Sequence, residues 1–271
     1  MYGWDGMASG AMRQTRAVRQ IYVIGIGAGD PDQLTLQAVK ALNRVDVFFL
    51  LDKGEAKADL IGLRRDILAE HIAEGREYRL VEARDPERDR TAGGADYSPA
   101  VGDWRTRRAD IYERMITDEL GENQTGAFLV WGDPALYDST LGILDEILAR
   151  GTVGFTHEVI PGISSVSALL AKHRTGLNRV ARPVQITTGR RLAQAWPEGV
   201  DDVVVMLDGH QSFRHYLAED PVIHWGAYVG TPDEILVSGR LSEVADRIVE
   251  LRAEARARKG WIMDTYLLRR D

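Results

Sequence analysis

Three short loops, each following an apolar run, hold the residues that could do chemistry. The first is Gly25-Ile26-Gly27-Ala28-Gly29-Asp30-Pro31. Glycines at alternate positions let backbone turn tightly or approach a partner closely. A dinucleotide site uses such a loop, with the pyrophosphate over the N-terminus of the next helix. Here the sixth position of that pattern is Asp30, whose carboxylate would repel a phosphate seated there. The loop therefore disfavours nicotinamide dinucleotides, and a structural turn with Asp30 or Asp32 capping a helix explains part of it. In the second loop, Gly132-Asp133-Pro134, missing side chains expose backbone while Asp133 can accept from an amino group or cap a helix. The third, Pro161-Gly162-Ile163-Ser164-Ser165, puts two serines at a helix start, where they either cap the helix or hold a ligand carboxylate.

Such loops need rigid supports. Ile21–Gly25 reads as a first strand, continuously apolar as a strand buried on both faces must be. Leu34–Arg44 has helical spacing (Leu36, Val39, Ala41, Leu42), and Val45–Leu51 is a second strand, which completes one βαβ unit. Further elements are expected near residues 60–72 (helix), 77–81 (strand), 107–120 (helix), 127–131 (strand), 141–149 (helix) and 157–160 (strand). Residues 85–103 lack periodicity and read as an excursion from the sheet, a candidate substrate loop. Strands then follow near 184–188, 203–207, 223–229 and 235–237, with an amphipathic helix at 241–256 and a last apolar run at 261–268. The fold class is α/β with two α/β domains, the first holding a mostly parallel sheet, the second a mixed one. Their expected limits are 20–161 and 162–271, after a disordered extension or tag at 1–19.

Composition narrows the function classes. The 271 residues are 44% hydrophobic and 28% charged, and no apolar run approaches the length of a membrane span. With 41 acidic against 34 basic side chains the net charge is -7, which argues against nucleic acid as a partner. Any anionic ligand must be met by a local basic patch. The chain has no cysteine, so disulfides, thiolate chemistry and cysteine zinc sites are excluded, and a cytoplasmic location fits. The six histidines show no metal-ligand spacing.

Four segments in order carry a family resemblance: Tyr22–Asp52, Leu129–Tyr137 (LVWGDPALY), Val159–Asn178, and Val203–Gly209 with Gly230–Val244. Together they resemble the tetrapyrrole (corrin/porphyrin) methylases, class III methyltransferases that use S-adenosyl-L-methionine and leave S-adenosyl-L-homocysteine. That resemblance implies a cofactor folded in the cleft between the domains and held largely by backbone. Position by position it points to Trp131, Gly132, Asp133, Leu136, Ser164, Ser165, Met206, Leu207 and a residue among Ala227, Gly230 and Thr231. Leu136, Met206 and Leu207 are read either as core or as an apolar wall for adenine. The family commonly has proline where this chain has Ala28, and a second glycine where it has Trp131.

Family substrates are macrocycles bearing many carboxylates, so Lys and Arg near strand ends and in the excursion are the candidates to hold them: Lys53, Arg84, Arg88 and Arg90. Arg64, Arg65 and Arg114 read instead as solvated helix faces paired with neighbouring acids. Within the family, Leu50–Leu68 and Ala83–Arg90 look like the precorrin-6A synthase (deacetylating) branch of cobalamin biosynthesis. The implied reaction methylates C1 of precorrin-5 and releases acetate, which requires a base: Asp30 or Asp52, with Tyr97 as a donor to the acetyl carbonyl. Helix capping by Asp30 and pairing of Asp52 with Lys53 are the structural alternatives. A homodimer is also implied. The alternatives are another corrin or uroporphyrinogen C-methyltransferase, or a nicotinamide-dependent oxidoreductase.

Overall fold

The structure, a computed structural model, describes residues 19–52, 58–87 and 97–270. Strands β1 (Arg19–Gly25), β2 (Val47–Asp52), β3 (Arg79–Arg84), β4 (Thr125–Val130) and β5 (Phe155–Ile160) form one sheet in the order β3-β2-β4-β1-β5. Every pairing in it is parallel. Alternation along each strand divides the apolar side chains between two cores. Tyr22, Ile24 and Phe48 pack with helices α1 (Leu36–Leu42) and α2 (Ala58–His71) through Ala38, Leu42, Ile67 and Leu68. Ile21, Val23 and Phe49 pack on the opposite face with α3 (Tyr97–Glu119) and α4 (Thr140–Arg150) through Tyr112, Ile116, Ile143 and Ile147.

The second sheet is mixed. Its order is β6-β7-β10-β8-β9, from β6 (Val184–Thr188), β7 (Asp202–Met206), β8 (Val222–Ala227), β9 (Ile235–Arg240) and β10 (Asp264–Arg269). Only β6 and β7 run parallel; the other neighbours are antiparallel. Helix α7 (Leu241–Lys259) covers one face through Leu241, Ala245, Ile248 and Ala255, with the short α6 (Gly189–Leu192) beside it. Helix α5 (Ser165–His173) covers the other through Val166, Leu169 and Leu170, against Val204, Leu267 and Val229.

One expectation needs correcting. Residues 97–103, read as part of a loop, are the first turns of α3, which begins ten residues before the expected start at 107. Pro99 lies in that first turn, where proline's missing N–H costs nothing. The helix is tied to the exit of β3 by bonds that periodicity cannot reveal: the Trp104 indole donates to the Pro86 carbonyl at 3.1 Å and Arg107 donates to the Glu87 carbonyl at 3.1 Å. Arg108, beside them, pairs with Asp85 at 2.8 Å.

Candidate active site

The three glycine-bearing loops converge where the first sheet ends. A Cβ on Gly25 would sit 2.5 Å from the Gly162 nitrogen, and one on Gly162 would overlap the Gly132 carbonyl oxygen. Gly132 also donates its N–H to the Gly27 carbonyl at 2.7 Å, joining first and second loops backbone to backbone. Close approach is thus the reason for Gly25 and Gly162, and a φ of +70 the reason for Gly132; the partner is protein rather than phosphate. Asp133 completes the clip: one oxygen accepts from Gly162 N–H at 3.0 Å, the other from Ala135 N–H at 2.8 Å. Ser164 caps α5 by accepting from Ser167 N–H at 3.1 Å.

Beside this knot a cavity of about 350 Å³ opens between the domains. The first domain contributes Ala28, Arg64, Trp131–Asp133 and Leu136–Asp138; the second contributes Ser164, Ser165, Met206, Leu207, Gly226, Val229 and Trp261–Thr265. Much of the wall is apolar, and Leu207 is 67% exposed. Leu207 also has φ +54, as Tyr137 has +53 and Tyr228 has +49, three non-glycine residues in the left-handed region at or beside one cavity. Such strain persists only where the surroundings enforce it, and it clusters where ligands bind. The indole N–H groups of Trp131 and Trp261 are buried there without a hydrogen-bond partner among the described residues.

Buried polar groups brace the second-domain wall. Asp264 accepts from Arg252 Nε at 2.9 Å and from the Trp225 indole at 3.1 Å. Burial pushes its carboxyl above the usual range, while Arg252 works against that shift. Arg252 also donates to the Asp208 carbonyl at 2.9 Å, and the Asp208 carboxylate accepts from Tyr266 Oη at 2.6 Å and Ser212 N–H at 2.6 Å. This network fixes the end of β7, where Met206 and Leu207 project, against β10.

A narrower crevice of about 80 Å³ adjoins the cavity and shares Arg64, Trp131 and Asp138 with it. It exists because β2 and β4 part. Their register ends at Phe49↔Phe128, whereas β2–β3 continues to Asp52↔Arg84 and β1–β4 to Gly25↔Val130. The Leu129 carbonyl faces the gap and accepts from Arg64 Nε at 3.3 Å. Burial lowers the Arg64 pKa from its usual value, and Asp138, Tyr112 and Arg108 also act on its charge.

A profile of the tetrapyrrole (corrin/porphyrin) methylases matches residues 20–245. The chain belongs to that family. A precorrin-6A synthase (deacetylating) of Sinorhizobium sp. is 53% identical over 253 residues, 93% of this chain and 96% of that one. The crystal structure of a cobalamin synthesis related protein (CobF) from Corynebacterium diphtheriae gives a TM-score of 0.78 at 37% identity, covering 94% of this chain and 99% of that one. Uroporphyrin-III C-methyltransferase from Thermus thermophilus, crystallised with S-adenosyl homocysteine, gives 0.58 at 21% identity over 92% and 91%, a likeness of fold. The oxidoreductase alternative falls with these findings.

The larger cavity gathers most of the residues picked out in the sequence. Trp131, Gly132, Asp133, Leu136, Ser164, Ser165, Met206 and Leu207 all line the cavity. Ala227, Gly230 and Thr231 do not. Ala227 points into the core under α7, one residue out of step with Gly226, which faces the cavity. Gly230 and Thr231 pack over the first loop instead: a Cβ on Gly230 would be 3.2 Å from Asp30 N, and one on Gly29 would be 2.5 Å from Thr231 Cγ2. Sequence reasoning missed Arg64, Asp138 and the Trp261–Thr265 wall, the last because a run of apolar residues entering a strand reads as core.

Asp30 caps the short turn Pro31–Gln33, accepting from Asp32 N–H at 3.0 Å, and does not line either cavity. Asp52 ends β2, its carbonyl accepting from Asp85 N–H at 2.8 Å, and it too stands outside both. Arg84 is exposed at the end of β3, opposite Asp52 in register. Lys53, Arg88, Arg90 and the Tyr97 side chain lie outside the described residues. Arg65 pairs with Glu82 at 2.5 Å on the surface, as read from the sequence, whereas Arg64 turns into the crevice rather than to solvent.

Proposed function

We propose that this chain is a precorrin-6A synthase (deacetylating) of cobalamin biosynthesis, an S-adenosyl-L-methionine-dependent C-methyltransferase that methylates C1 of precorrin-5 and releases acetate. The observation that carries the reading is the 53% identity to the Sinorhizobium synthase over almost the full length of both chains.

The cavity fits the cofactor. Its volume of about 350 Å³ lies within the range of small-molecule sites, and an exposed Leu207 with two indole N–H groups that have no partner among the described residues asks for a ligand that is part apolar and part polar. Leu136, Met206 and Leu207 would flank the adenine, while the N-terminus of α5 at Ser164 and Ser165 would receive the methionine carboxylate. Gly132, with no Cβ, puts no side chain into the cavity wall and so lets the ligand come close there. When bound, the cofactor supplies an electrophilic methyl group on a sulfonium. The residues around it orient that methyl and exclude water, which is most of what an in-line displacement by a ring carbon requires. Arg84, together with Lys53, Arg88 and Arg90, would meet the carboxylates of the tetrapyrrole.

The test is mass spectrometry of the product made from precorrin-5 and methyl-labelled cofactor. Gain of the labelled methyl with loss of acetyl is expected; gain of methyl with the acetyl retained assigns the chain to another corrin methylase. The reading includes a cytoplasmic homodimer, which sedimentation equilibrium giving a monomer mass would refute.

A further inference from the structure

Adjacent strands whose following helices lie on opposite faces leave a crevice at their carboxyl ends, the usual place for a ligand in an open α/β sheet. Strand β2 leads into α2 on one face and β4 into α4 on the other. The crevice of about 80 Å³ lies at that switch point, between Leu50 and Leu51 of β2 and Leu129 and Val130 of β4. It is too small for any part of a macrocycle except a substituent. Its polar lining is nevertheless substantial: Arg64, Arg108, Tyr112, Asp138 and Thr140. Of these Arg108, Tyr112 and Thr140 are almost wholly buried. Arg108 is engaged by Asp85 at 2.8 Å and by Ser139 Oγ at 3.0 Å, and it lies over the Trp104 ring at 4.7 Å, so it shapes the wall. Arg64 brings positive charge to the junction with the larger cavity, and Asp138 stands exposed at the same junction. Asp138 is held by one oxygen, which accepts from Thr140 N–H at 2.7 Å. Trp131, on the wall common to both spaces, has its buried indole N–H without a partner among the described residues.

We propose that this crevice is the deacetylation subsite: it takes a two-carbon acyl group, with Arg64 facing the acyl oxygen and Asp138 receiving the proton of the attacking water. The proposal rests on the synthase reading above and deepens it. Water oxygen bonds to the acetyl carbonyl carbon as Asp138 takes one proton, leaving a tetrahedral oxyanion beside Arg64. The bond from that carbon to the ring carbon then breaks, and its electron pair passes into the ring. The ring carbon would use that pair to take the methyl group from the cofactor's sulfonium, whose bond to that methyl breaks with its electron pair staying on sulfur, so that S-adenosyl-L-homocysteine leaves. The two-carbon fragment departs as acetic acid, which gives its remaining acidic proton to solvent and leaves as acetate.

A small carboxylate in the crevice could equally be a side-chain carboxylate of the tetrapyrrole, and the experiment separates the two sources. Carbon-13 acetate is titrated by NMR into the full chain without any other ligand. Millimolar binding is expected, weakened at least about tenfold in Arg64→Met, partly restored in Arg64→Lys, and kept or tightened in Asp138→Asn. Asn keeps an acceptor for Thr140 N–H, so that bond at the start of α4 survives. In turnover with precorrin-5, Asp138→Asn is expected to lower kcat about 100- to 10,000-fold with little change in KM. Acetate binding indifferent to Arg64→Met overturns the proposal. So does an Arg64→Met enzyme with raised KM and unchanged kcat, which would assign the crevice to a substrate side chain. Acetate bound through Arg64 but never released from precorrin-5 would fault the synthase reading and keep the carboxylate site; acetate released but not bound there would fault the site alone.

Discussion

At the scale of single residues, the site is built by atoms that are absent as much as by those present. Gly25 and Gly162 lie so close to each other and to the Gly132 carbonyl that a side chain on either displaces backbone. Gly162→Ala is therefore expected to destabilise the fold by roughly 1–3 kcal/mol or more, while Gly154→Ala, with open space around it, stays neutral; thermal melting compares them. Arg252 and Asp264 form a pair at 2.9 Å with both side chains only 6% exposed. Arg252→Met strands a buried carboxylate and should cost about 3–5 kcal/mol by denaturant titration. Leu207 works in the other direction. Leu207→Gly removes a strained φ of +54 and should leave stability equal or higher, yet weaken S-adenosylhomocysteine binding about tenfold or more by calorimetry, since burying a leucine contributes about 1.5–3 kcal/mol.

At the scale of elements, the strands and helices were largely legible, because period and continuity are written locally. Ile21–Gly25 ends at the residue where the apolar run ends, and Val184–Thr188 matches its expected limits. What escaped depends on contacts distant in sequence. The start of α3 rests on bonds to the exit of β3, and Ala227 missed the cavity by one position because face parity depends on register, which pairing sets. Arg64 looked like an ordinary helix-surface arginine; only the parting of β2 from β4 gives it a carbonyl to bond and a gap to fill. Between α5 and β8, His173 and His224 lie with ring centroids 5.2 Å apart. Burial first, then the charges of His173 and Arg269, lower the His224 pKa below its ordinary 6.5. A depressed histidine takes up fewer protons folded than unfolded, so its contribution is complete above 6.5 and is lost as pH falls below that value. Denaturant midpoints measured between about pH 7.5 and pH 5.5 should fall with acidity, and less so in His224→Phe.

At the scale of the whole molecule, two sheets of different topology share one cavity whose walls neither domain could supply alone. Ala28 of the first loop packs with Ala168, Leu169 and Val229 of the second domain, and Leu136 packs against Val166, Leu170, Val204 and Leu267. A ligand in that cavity binds only when both domains are folded and docked. Saturation at about 100 times Kd with S-adenosylhomocysteine should therefore stabilise the chain by about 2.7 kcal/mol, in a single transition by calorimetry. The proposed division of labour follows from the same geometry: the cavity would hold the methyl donor, and the crevice beside it the group that must leave. The most direct measurement is the joint yield of acetate and S-adenosylhomocysteine from precorrin-5, followed by NMR in one tube. Equimolar, simultaneous release of both is the predicted result; S-adenosylhomocysteine without acetate would contradict it.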